Sequence, residues 1–96
     1  MKCALTTVVL TLVAAFASPA RSETCTDHAL TARGEPARLE WLAKTKARAN
    51  WRARVRATPG LGDAYSGWRL ARDAIEECRP GKGGMVCTFT GVPCAH

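Results

Sequence analysis

The chain has little with which to do chemistry or to fill a core. Two histidines are the whole supply of imidazole in 96 residues, there is a single tyrosine, and no two cysteines form a CxxC pair. His28 lies beside Asp27 in a polar stretch and His96 is the last residue, so neither suits a rigid nucleophile and base pair. Glu76 and Glu77 are adjacent, and on either a helix or a strand they point apart instead of facing each other across a substrate. The glycines from Gly81 to Gly84 are not followed by the Lys-Ser/Thr pair of a phosphate loop. These absences lead us to expect no catalytic residue and no enzyme, no cofactor and, without zinc-ligand spacing, no metal site. Long hydrophobic runs are missing too: the uncharged stretch Ala4 to Phe16 falls short of the ~20 residues that a membrane-spanning helix needs.

What is present begins with an address. Lys2, the apolar stretch and the small residues Ala17, Ser18, Pro19 and Ala20 read as a signal peptide over residues 1–20, with a single small basic domain over 21–96. Beyond Ala20 only 15 large apolar side chains remain, a thin core for a domain that already buries a small share of its surface. Removal of the leader also removes Cys3 and leaves Cys25, Cys78, Cys87 and Cys94, an even number in an exported chain, so two disulfides are expected. The abundance of Ala and Arg fits a GC-rich bacterial genome, and with it a periplasmic or secreted location.

Residues 21–35 are polar and aperiodic and read as a loosely ordered leading segment held by Cys25. From Glu35 and Pro36 a helix is expected to run to about Thr58, because Leu39, Ala43, Ala47, Trp51 and Val55 repeat every fourth residue. Pro59, Gly60 and Gly62 break it, and Asp63 is placed to cap a second helix whose stripe is Ala64, Trp68, Ala71 and Ile75. Two amphipathic helices on a short connection predict an antiparallel helical hairpin with Trp51 near Trp68. Residues 75–79 read equally as the end of that helix or the start of a strand.

A turn centred on Lys82 and Gly83 sets Gly81 against Gly84, and counting outward sets Cys78 opposite Cys87 at a non-hydrogen-bonded site. Of three connectivities, Cys78 with Cys87 and Cys25 with Cys94 therefore ranks first. The expected fold class is α+β: a small disulfide-stapled domain with an antiparallel helical hairpin followed by a short C-terminal β-hairpin.

Trp51, Val55, Gly62, Tyr65, Trp68 and Ala71, followed by Cys78, Cys87 and the closing Val92-Pro93-Cys94, form a pattern that resembles small exported cysteine-containing proteins of alphaproteobacteria. The resemblance spans roughly residues 47 to 94. It implies a helical portion followed by a cysteine-linked β-hairpin, and it implies no particular activity. Glu76 and Glu77 depart from it, since an apolar or β-branched approach to Cys78 suits a strand better.

The first helix carries the charge. Between Arg38 and Arg56, the bases Arg38, Lys44, Lys46, Arg48, Arg52, Arg54 and Arg56 stand against one acid, Glu40, and Lys44, Arg48, Arg52 and Arg56 stack along one side, where like charges cost a few tenths of a kcal/mol per pair. Either these bases simply solvate the outer face, or Lys44, Arg48, Arg52, Arg54 and Arg56 form an anion- or partner-binding surface. Asp73, Glu76 and Glu77 are candidate internal counter-charges. Trp41, off the apolar stripe, reads either as a cover for the disulfide region or the leading segment, or as an exposed interfacial anchor. The expected function is that of a non-enzymatic, envelope-associated binding or accessory protein that contacts an anionic envelope component, a membrane periphery or an acidic protein. No specific nucleic acid is expected, for want of a recognition motif. The other reading is a secreted effector, either a membrane-active antibacterial peptide or an inhibitor using the cysteine-constrained loop Arg79–Gly84. Oligomeric state is left open.

Overall fold

The computed structural model describes residues 23–96; the expected signal peptide and Cys3 lie outside the described residues. One helix, α1 (Glu40–Ala57), lies on a three-stranded antiparallel sheet of order β2-β4-β3, formed by Leu30–Arg33, Gly84–Val92 and Arg72–Gly81. A second, two-stranded sheet joins β1 (Thr24–Cys25) to β5 (Cys94–Ala95).

The fourfold repeat of the helix does what its spacing requires. Ala43, Ala47, Trp51 and Val55 are fully buried and pack with Ala32, Ala37, Cys87 and Phe89. Small side chains at 43 and 47 let the helix come down on the backbone: a Cβ at Gly34 would stand 2.6 Å from the Ala47 nitrogen. Glycine is required there by this close approach. Trp51 Nε1 donates to the Leu30 carbonyl at 3.0 Å, and its ring meets Phe89 edge-on with centroids 5.1 Å apart. Trp68 meets the same Phe89 from its own side at 6.2 Å, so the two indoles share one aromatic centre.

The helical hairpin does not form. Residues expected in the second helix instead make two 3-10 turns, Asp63–Tyr65 and Trp68–Leu70, and then enter β3. Gly67 separates the two turns, and β4 offers a full ladder of backbone partners to the segment that follows. Ile75, expected on a buried stripe, is 55% exposed on the sheet's open face. The helix itself starts later than Glu35, because Ala37 exchanges both backbone hydrogen bonds with Met85 and cannot join α1; Leu39 becomes the N-cap and is exposed. The leading segment is likewise not loose: its residues supply β1 and β2, with β2 paired to β4 from Leu30↔Gly91 to Arg33↔Thr88.

Cys78 lies opposite Cys87 in the register counted from Gly81↔Gly84, and the bonded pairs are Cys78 with Cys87 and Cys25 with Cys94. The second pair links strand β1, near the start of the described residues, to β5 near their end. A chain with so few large apolar side chains is thereby cross-linked within its hairpin and from Cys25 to Cys94.

Candidate anion-contact surface on the helix

Four rows of side chains run along α1. Row 43-47-51-55 faces the sheet, and row 41-45-49-53-57, two residues out of phase, forms the opposite crest; Trp41, Thr45, Ala49, Ala53 and Ala57 are all exposed. The basic row Lys44, Arg48, Arg52 and Arg56 borders this crest on one side. Lys46, Asn50 and Arg54 border it on the other.

Internal acids neutralise three of the five nominated cations. Arg48 makes a two-pronged contact to Glu76: its Nε donates to Oε2 and its Nη2 donates to Oε1 at 2.8 Å. Its guanidinium also lies 3.9 Å above the Trp68 ring centroid. Hydrogen bonding to Glu76 raises the Arg48 pKa above its ordinary value, against a smaller opposing effect of burial. Arg48 is thus turned inward, toward the seam between α1, the 3-10 turns and β3, and is only partly open to solvent. Lys44 pairs with Glu40 at 3.5 Å, and Arg56 Nε donates to Asp63 Oδ1 at 2.6 Å. Both pairs are exposed, so each is worth little and exchanges readily for another anion. Among the described residues no carboxylate lies within ion-pairing distance of Arg52 or Arg54.

Glu76, an expected internal counter-charge, arrives from a strand. Its inward orientation follows from the hairpin register, which sets Glu76 and Cys78 on the helix-facing side and Ile75, Glu77 and Arg79 on the open side. That alternation also puts Arg79 on the same open face as Arg33, a placement a helical reading of residues 72–79 could not give. Trp41 is 65% exposed at the start of the outer crest. The segment Arg79–Gly84 is not a projecting loop: the ladder continues to Gly81↔Gly84, and Gly83 and Gly84 lie against Pro36 and Ala37. Only Lys82 and Gly83 are left as turn.

His28 is exposed on the rim of an apolar cleft of about 240 Å³ that includes Leu30, Leu61 and Pro93. The four sulfurs of Cys25, Cys78, Cys87 and Cys94 are held in disulfides, and among the described residues no three His, Cys, Asp or Glu side chains gather as a metal site would need. No described helix is long and apolar enough to cross a membrane. Comparison with protein-family models, with curated proteins and with solved structures gave no match to this chain.

Proposed function

We propose that the protein is an exported, non-enzymatic basic domain that lies on an anionic envelope surface along the outer crest of α1. The observation that carries this reading is the crest itself, an exposed row of small residues begun by Trp41 and flanked by Arg52 and Arg54, which form no ion pair among the described residues. Alanines at 49, 53 and 57 let a flat surface approach closely, and long arginine side chains on both flanks reach phosphate or carboxylate groups. Trp41 sits where an aromatic ring enters a headgroup layer. Lys44 and Arg56 strengthen the contact when their weak surface pairs exchange. Export is supported by the signal-peptide pattern of residues 1–20 and by two disulfides, which suit the periplasm or the medium.

The test is cosedimentation with phosphatidylglycerol vesicles against phosphatidylcholine vesicles over a salt series. Binding to the anionic vesicles alone, weakening steeply with salt, is expected. R52Q/R54Q should lower the affinity about thirtyfold, since each juxtamembrane cation contributes about 1 kcal/mol, and the charge reversal R52E/R54E should lower it further. No binding at low salt overturns the reading. Release of a trapped dye would favour a membrane-active effector instead.

A further inference from the structure

β3 is an edge strand. The two-residue turn and the register from Gly81↔Gly84 make Arg79↔Val86, Glu77↔Thr88 and Ile75↔Thr90 the hydrogen-bonded pairs. The backbone groups of Glu76 and Cys78, and the carbonyl of Pro80, therefore point away from β4. Among the described residues no other backbone takes them up. The same logic on the far side of β4 is satisfied: Met85 bonds Ala37, and the Cys87 carbonyl accepts from Gly34.

The geometry points to a symmetric dimer in which β3 of one copy pairs antiparallel with β3 of a second copy, centred on Cys78. The charge pattern of the open face selects this register. Centred on Glu77 or on Arg79, a two-fold pairing sets like charges directly opposite each other, which is destabilising. Centred on Glu76, it needs regular strand at Asp73, where φ is +56° and the ladder is broken between Arg72 and Ile75. Centred on Cys78, Glu77 faces Arg79 of the second copy and Arg79 faces its Glu77, giving two opposite-charge pairs. Both side chains are exposed, and neither has an ion-pair partner within its own chain among the described residues.

This register also covers an apolar residue. Ile75 comes over Gly81 of the second copy and meets Val86, whose Cγ2 lies 2.9 Å from the place a Gly81 Cβ would occupy. Cys78 exchanges two backbone hydrogen bonds with its counterpart, and each Glu76 N–H donates to a Pro80 carbonyl. Pro80 has no N–H to return, so the strand pairing is short, as a bracketed edge requires. The result is a six-stranded sheet with its two-fold axis normal to the sheet. Both α1 helices then lie on one side, with both outer crests facing the same plane. The dimer rests on the β3 edge alone and does not depend on anion binding.

Sedimentation equilibrium of the oxidised protein at rising concentration in 0.15 M salt tests it. A monomer–dimer equilibrium is expected, weakened about tenfold or more by E77R or by R79E and restored in the swapped variant E77R/R79E. Amide exchange on the unaltered protein should slow at Glu76 and Cys78 as concentration rises. A monomer at every concentration overturns the inference, as does a dimer indifferent to both single reversals or one that leaves those two amides unprotected.

Discussion

Arg48 of α1 and Glu76 of β3 join two elements that share few other contacts, and Trp68 closes the seam by stacking on the same guanidinium. Both side chains of the ion pair are mostly buried, with 27% and 19% of their surface exposed, so this pair escapes the solvent screening that weakens Lys44–Glu40. Arg48→Ala should lower stability by about 1.5–3 kcal/mol, because it leaves the Glu76 carboxylate without its charged partner. Arg48→Lys should recover only part of the loss, since an ammonium reproduces neither the fork nor the stacking. Denaturant titration of Arg48→Ala, Glu76→Gln and the double variant gives the coupling; additive effects would show that the pair contributes nothing.

The two disulfides should differ in value by their span. Cys78–Cys87 closes a short loop with a separation of 9, whereas Cys25–Cys94 closes one with a separation of 69. The chain-entropy relation then gives losses of about 2.6 kcal/mol for Cys78→Ala/Cys87→Ala and about 4.4 kcal/mol for Cys25→Ala/Cys94→Ala. Thermal unfolding of the two paired variants checks the order; the long-range pair should be the one whose loss unfolds the domain first.

Trp51 contributes both volume and a donor. Trp51→Phe keeps most of the ring but leaves the Leu30 carbonyl without the indole N–H, for an expected cost of about 1–3 kcal/mol. Trp51→Ala removes the centre of the core and should cost about 3–5 kcal/mol or more, enough to unfold a domain of this size. Near-ultraviolet circular dichroism and denaturant midpoints distinguish a repacked core from a lost one.

Glu35 should titrate below its ordinary value of 4.5, held down first by a hydrogen bond from its own backbone N–H, then by the Asn50 side chain, with Lys46 adding a weaker attraction. A lowered carboxyl pKa stabilises the fold above the unfolded-state value, and the contribution is lost as pH falls through the folded-state one. Asn50→Ala should move the Glu35 titration upward, read by carbon-detected NMR of its carboxyl, while an unmoved midpoint would remove Asn50 from the account. Asn50 also donates to the Arg33 carbonyl at 2.8 Å, so the variant should in addition loosen the approach of α1 to β2.

The stretch from Asp63 to Cys78 shows where local pattern and long-range pairing part company. Ala64, Trp68, Ala71 and Ile75 fall on a helical repeat, yet in the fold Trp68 leans on Phe89 and Arg48 while Ile75 faces solvent. The repeat is a coincidence of four residues, with Gly67 inside it and no complementary face on α1 to bury it. The choice was made by β4, which already pairs with β2 along one edge and needs a partner along the other. Nothing within residues 63–77 records that need. The same holds for β2: Leu30–Arg33 reads as polar and irregular because a short strand with a solvent-facing side needs only Leu30 and Ala32 inside.

Determined by sequence alone were the buried row of α1, whose fourfold spacing works whatever it packs against, and the Cys78–Cys87 pairing, which follows from a two-residue turn and simple counting. Both are local: the first is a spacing within one helix and the second a pairing within one hairpin. The tertiary structure decided which elements exist between Asp63 and Gly81, which helix cations are spent internally, and which edge of the sheet is left open. These depend on residues far apart in the chain, as Arg48 with Glu76 and Thr31 with Thr90 are, and the free energy that selects them is released only when the strands and helix meet.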